Sequence, residues 1–193
     1  MEDSMMRGSL DDIYFPGLSV QTVGFVRNSV EEPILRADDE GITMDARREE
    51  MRRRIREIKS AVSEIVIKEE LLELLDGIDD FSHLIVLYWG HKVPAQGRLL
   101  TRVHPMGRKE LPRVGIFGTR SPARPNPVLI TTVRLSSRSG NILRVTGLDA
   151  IDNSPVIDIK PYVPERGACD DVRVPQWMER IQDEIAAEDG SDA

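Results

Sequence analysis

The seven-residue run His83-Leu-Ile-Val-Leu-Tyr-Trp89 constrains the fold more than any other stretch of this chain. Its β-branched, aliphatic and aromatic side chains suit a pleated surface covered on both faces, which predicts a buried central strand. Other short β-rich runs lie around it: Ser19 to Arg27, Ala61 to Ile67, Arg98 to His104, Val128 to Leu135 and Asn141 to Thr146. Gly, Pro, Asn or Ser-rich turns separate most of them, and no regular alternation with helices is present. This pattern points to a mainly β barrel or sandwich and away from alternating β-α units.

Helical pattern is confined to the periphery. From Asp38 to Lys59 the sequence is nearly all charged, with Ile42, Met44, Met51, Ile55 and Ile58 at roughly helical spacing, which predicts a solvated helix near 44–59 or a flexible excursion. Glu69 to Leu75 reads as a short helix stopped at Gly77, and 176–187 as an amphipathic terminal helix with Trp177 and Ile181 facing inward. Residues 1–18 read as a flexible extension, 19–164 as the folded domain, and 165–193 as the terminal helix with an acidic tail disordered from Glu188.

Charge is distributed unevenly. The whole chain of 193 residues carries −7, yet Gly90 to Leu148 holds eleven Lys and Arg against Glu110 alone, a local +10. Such polarity predicts a basic face for an anionic partner. No stretch approaches the roughly 20 apolar residues of a membrane helix. Cys169 is the only cysteine, which excludes an internal disulfide and any Cys-rich metal site. Met1 to Leu18 shows no apolar leader run, so a cytoplasmic protein is expected.

Several familiar site signatures are missing: G-x-G-x-x-G, the lysine phosphate loop, G-x-S-x-G and H-E-x-x-H. The three histidines meet no metal-ligand spacing, so no metal is expected; His83 and His91, eight apart, are placed so that both could face one side. The run Arg52 to Arg54 with Arg56 is interleaved with Glu49, Glu50 and Glu57, and reads as a solvated helical face. Two stretches are denser in chemistry. Gly115 to Pro127 (GIFGTRSPARPNP) packs three prolines into its last six residues, a stiff loop that can hold Arg120 and Arg124 in place at small entropic cost. Gly147 to Tyr162 (GLDAIDNSPVIDIKPY) turns at Asp152-Asn153-Ser154-Pro155 and leaves Asp149, Asp158, Lys160 and Tyr162 as candidates for chemistry. Asp158 and Lys160, two apart on a strand, share a face and can equally form a plain ion pair.

Four segments in order resemble the TsaA-like (TrmO) family of tRNA methyltransferases: Val23 to Arg27, Phe81 to Trp89, Gly115 to Pro127 and Leu148 to Tyr162. The resemblance spans about Gln21 to Pro164. It implies a small antiparallel β-barrel that binds S-adenosylmethionine outside the Rossmann class and works as a homodimer. The implied reaction is methylation of N6 of N6-threonylcarbamoyladenosine, next to the tRNA anticodon. Carried over by motif position, the implied cofactor contacts are His91, Lys92, Arg120, a residue near Thr132, and Leu148, Asp149, Ala150 and Ile151.

Part of that set agrees with elementary chemistry. A sulfonium cofactor needs oxygens near its positive centre and donors for its carboxylate, roles that Asp149 and Arg120 can fill. Asp149, Lys160 and Tyr162 are candidates for the base or positioning group, with Lys160 and Tyr162 on the acceptor side. Arg113 and Arg124 are candidates for the RNA phosphates. One segment departs from the family pattern: a loop resembling Arg-Gln-Pro-Gly commonly follows the first strand, and here the charged Glu31 to Lys59 stands in its place. Two rival readings follow: the same chemistry on a different acceptor, or a module that binds RNA or an adenosine ligand without catalysis.

Overall fold

The computed structural model describes residues 19–33, 35–38, 41–44, 53, 56–58, 60–164 and 172–189. Six strands close into a barrel in the order β1 (Gly24–Arg27), β10 (Pro155–Pro161), β5 (His83–Trp89), β8 (Val128–Ser139), β9 (Ile142–Thr146) and β4 (Val62–Ile67), every neighbouring pair antiparallel. Two short two-stranded sheets stand outside it, β2 (Leu35–Asp38) with β3 (Gly41–Met44), and β6 (Arg102–Val103) with β7 (Val114–Gly115). Among the described residues, helix is found at 53, 56–58 and 60, in the one-turn α1 (Ala95–Arg98) and in the terminal α2 (Gln176–Asp189), with 3-10 turns that include Glu69–Leu75.

Period-two alternation builds the interior. Leu84, Val86 and Tyr88 of β5 are buried, as are Ile65 and Ile67 of β4, Leu143 and Val145 of β9, and Val133 of β8. With Val26, Leu148 and Val156 they form one core. Closure of so small a barrel requires strong local twist, and two strands supply it with bulges: β10 between Val156 and Asp158, and β8 between Leu135 and Ser137. It also requires β1 and β4 to approach closely. A Cβ on Gly24 would collide with the carbonyl oxygen of Val66, so glycine is the residue that admits this seam.

The antiparallel order sends one set of connections to a single rim. Arg27 faces Glu64, Phe25 faces Pro155, Tyr88 faces Val156 and Trp89 faces Val128. Segments 28–33, 90–101, 116–127 and 147–154 therefore gather at the same end. Of the four family-like segments, Val23–Arg27, Phe81–Trp89 and Gly115–Pro127 end at this rim, and Leu148–Tyr162 starts there and leaves along β10.

Local expectations fared unevenly. The buried central strand, the helix at 176–187 and the short helix at 69–75 are present, the last as a 3-10 helix, and Ile181 is buried in α2 as expected. The predicted strand Arg98 to His104 is instead the end of α1 followed by the two-residue β6; Pro94 opens a helical turn, and Arg98 is anchored 5.5 Å over the Trp89 ring. Gly41–Met44, within the charged stretch expected to be a solvated helix near 44–59 or a flexible excursion, is a strand paired with Leu35–Asp38. Residues 53, 56–58 and 60 are helical, while the rest of the expected 44–59 helix, the 1–18 extension and 190–193 lie outside the described residues. The helix runs on through Asp189, beyond the expected onset of disorder at Glu188. Among the described residues no helix is long and apolar enough to cross a membrane.

Candidate active site at the barrel mouth

Asp149 is the centre of the mouth. After β9 the chain bends at Gly147, and residues 148–150 belong to no strand; there Asp149 meets Thr131 of β8 and the phenol of Tyr88. The Tyr88 hydroxyl donates to Asp149 Oδ1 at 2.5 Å, and Thr131 Oγ1 donates to the same oxygen. Tyr88 and Thr131 themselves stand 3.3 Å apart. Tyr88 is buried in the core, so its hydroxyl needs a partner inside the fold, and Asp149 is that partner. Burial and then the adjacent Asp149 charge push the Tyr88 pKa far up, so it is a donor throughout the physiological range. Asp149 itself is exposed, and its second oxygen, Oδ2, has no protein partner among the described residues.

The neighbouring loops are fastened to one another. Asn28 donates from Nδ2 to the Ala150 carbonyl at 2.9 Å and to Ser63 Oγ at 3.1 Å, and its amide donates to Asp152 Oδ1 at 2.9 Å. His91 Nδ1 stands 3.4 Å from the hydroxyl of buried Ser154. Burial, followed by the Lys92 charge, lowers the His91 pKa from its usual 6.5. Lys92 bridges two loops: it donates to the Glu31 carbonyl and pairs with Glu32 at 3.0 Å. Two hollows open at this end. One of about 410 Å³ is lined by Ser29 to Glu32, Glu57, Ile58 and Ala61; the other, about 460 Å³ and largely apolar, lies between Arg98 to Thr101 and Gly115 to Gly118. Neither includes Asp149.

The arginines divide by role. Arg124 donates to the carbonyls of Ser121 at 2.8 Å and Thr119 at 2.6 Å, so its guanidinium braces the proline-rich loop from within. Arg120 is exposed and has no side-chain partner among the described residues. Arg113 is exposed, and among the described residues its carbonyl alone is engaged, by Arg102 at 2.9 Å.

The sequence-predicted residues are thus only partly brought together. Asp149, His91 and Lys92 share the mouth. The side chains of Leu148 and Ala150 point into the core and Ile151 is half-buried, so in that segment Asp149 is the exposed residue. Thr132 faces outward from β8, while its neighbour Thr131 faces Asp149. Lys160 and Tyr162 are elsewhere. Lys160 lies opposite Ile85 on the outer wall and pairs with Asp158 at 2.7 Å; Tyr162 packs edge-on against His83, ring centres 6.5 Å apart. Ile85 is three residues from Tyr88 and His83 five, about 10 and 17 Å along an extended strand. His83 and His91 sit at opposite ends of β5 and do not share a side. Among the described residues, no three His, Cys, Asp or Glu side chains come together as a metal site.

Sequence reasoning missed Tyr88 and Thr131. The signal was available: Tyr88 is in phase with Leu84 and Val86, which buries its hydroxyl and demands a partner.

A family model described as the tRNA-methyltransferase O N-terminal domain matches residues 43–168. The chain belongs to this family. The match takes in every barrel strand except β1, which closes the barrel from outside it, and it stops short of α2. A probable S-adenosyl-L-methionine-binding protein of Pyrococcus abyssi is 45% identical over 111 residues, 58% of this chain and 57% of that protein. The tRNA (adenine(37)-N6)-methyltransferase of Mus musculus is 39% identical over 93 residues, 47% of this chain and 21% of that one. A crystal structure of TrmO superposes with a TM-score of 0.58 at 28% identity, covering 82% of this chain and 63% of that one. This member of the TrmO family therefore spans about three fifths of the length of such relatives, and less of the mouse enzyme.

Proposed function

We propose that this protein is an S-adenosylmethionine-dependent methyltransferase whose acceptor is N6 of N6-threonylcarbamoyladenosine in tRNA. The observation that carries the reading is Asp149: an exposed carboxylate at the rim where the family's motifs converge, held through one oxygen with the other free. The names of the Pyrococcus and mouse relatives supply the cofactor and the reaction type. The donor set fits such a cofactor. Asp149 offers an acceptor for a cationic or N–H group, Arg120 an exposed guanidinium for a carboxylate, and the hollow beside Phe117 an apolar surface.

When bound, the cofactor supplies an electrophilic methyl group. The chain's own part is to fix the reactants and hold charge: positioning alone contributes roughly 7–11 kcal/mol in well-oriented reactions. Arg120 would hold the carboxylate of the cofactor and Asp149 its sulfonium, and the basic surface between Gly90 and Leu148, Arg113 included, would hold RNA phosphates. Lys160 and Tyr162, on the outer wall, would meet only an acceptor that extends down β10.

The test is to incubate the protein with labelled S-adenosylmethionine and tRNA, with and without the threonylcarbamoyl group, followed by nucleoside mass analysis. Methyl gain on the modified adenosine alone is the expected result. Transfer to another base would assign a different acceptor, and cofactor binding with no transfer to either tRNA would reduce the protein to a binding module.

A further inference from the structure

A buried tyrosine hydroxyl needs a hydrogen-bond partner, and a neutral backbone carbonyl would be enough to satisfy it. Tyr88 instead reaches a carboxylate that comes from a segment 61 residues away in sequence. Thr131, on the next strand, turns to the same oxygen. Two donors on Oδ1 fix both the rotation and the tilt of the carboxylate, because Oδ1 cannot swing outward without breaking both hydrogen bonds. The consequence is asymmetric: Oδ1 is saturated from inside the barrel, and Oδ2 is left as the acceptor that faces solvent. Water cannot take the place of the Tyr88 hydroxyl from within, since Tyr88 lies in the core with Leu84, Val86 and Leu148.

We propose that Tyr88 and Thr131 are positioning residues of the methyl-transfer site, which aim Asp149 Oδ2 at the sulfonium of the bound nucleoside so that the mouth distinguishes the cofactor from its product, whose sulfur is an uncharged thioether. The proposal rests on the cofactor reading given above. It adds a physical role for two residues that touch no ligand, and a reason for product release: once the methyl group has left, the sulfur carries no charge for the aimed oxygen to favour. A carboxylate free to rotate would spread its charge over several orientations and would lose part of this preference.

The test is calorimetric and needs no turnover. Affinities for S-adenosylmethionine and S-adenosylhomocysteine are measured for the unaltered protein and for Tyr88→Phe, Thr131→Val, Asp149→Asn and the Tyr88→Phe/Asp149→Asn double variant, with thermal melts alongside. The unaltered protein is expected to prefer the sulfonium. Tyr88→Phe, which keeps the ring in the core, is expected to lower sulfonium affinity by about tenfold, in the range of one hydrogen bond to a charged group, while leaving the thioether nearly unchanged. In the Asp149→Asn background the same substitution is expected to change nothing further. Thr131→Val repeats the test should Tyr88→Phe fail to fold. Equal loss for both ligands, or the same loss in the Asp149→Asn background, would make Tyr88 a merely structural residue and overturn the positioning role alone. Failure of the unaltered protein to bind either nucleoside would overturn the cofactor reading, and this proposal with it.

Discussion

Asp149 and Asp158 lie nine residues apart on either side of the turn into β10, and the barrel treats them in opposite ways. Asp158 is on the outer wall, 43% exposed, and its partner is the ammonium of Lys160, itself 61% exposed. That pairing sets Oδ2 of the carboxylate against an exposed ammonium, while Oδ1 accepts from the Ile159 backbone N–H at 2.9 Å. Asp149 is held by two uncharged hydroxyls, one of them inside the core, so it keeps its charge and also its direction. A site needs a charge that is both fixed and available. The comparison shows that neutral buried donors can deliver this where a surface ion pair cannot.

The sharpest way to break the contrast is to remove each carboxylate's charge in turn. Asp149→Asn is expected to reduce methyl transfer by about a hundredfold, roughly 2.7 kcal/mol of barrier, whereas Asp158→Asn leaves it within twofold; steady-state rates with labelled cofactor decide. Comparable losses from both would erase the distinction. Next in size is Arg120→Ala, for which calorimetry is expected to give a cofactor affinity about tenfold weaker with an unchanged melting temperature. Undiminished binding would remove Arg120 from the mouth. The outer pair should matter least: Lys160→Ala is expected to change stability by at most about 1 kcal/mol in denaturant melts, and a larger change would mean the wall is more than a solvated face.

A pH series sharpens the comparison from another side. The fold lowers the His91 pKa, so the folded state favours the neutral ring. The corresponding contribution to stability is present above the usual 6.5 and is lost as pH falls through the depressed folded value. Melts between pH 8 and pH 5 should decline on the acid side, and His91→Gln should flatten part of that decline. A variant with the same acid decline as the unaltered protein would show that His91 does not contribute to it.

Much of this architecture can be read from the residues. The alternation in His83 to Trp89 is enough to place the central strand, and the turn chemistry of Asp152-Asn153-Ser154 is enough to place the bend into β10. Asp149 is one of four candidates that the Gly147 to Tyr162 stretch offers, beside Asp158, Lys160 and Tyr162. The pairing that gives it meaning cannot be read there, because Tyr88 and Asp149 meet only through the register of β5, β8 and the unpaired segment after β9, which no local pattern encodes. Thr132 was one residue from Thr131, and a shift of one residue in a strand exchanges the inside for the outside. The β2–β3 hairpin was hidden for a related reason: Ile42 and Met44 fit a helical spacing as easily as an alternating one in so short a stretch. Lys160 and Tyr162 looked like part of the same cluster because they are close to Asp149 in sequence, but β10 carries them away along the outer wall.

The most direct test of the account is where the cofactor binds on the barrel. Amide resonances of the isotope-labelled protein, followed during titration with S-adenosylmethionine, are expected to shift around 88–92, 119–121, 131 and 148–154, with 83–85 and 158–162 unmoved. Shifts confined to the His83 and Lys160 wall, with the mouth silent, would contradict it.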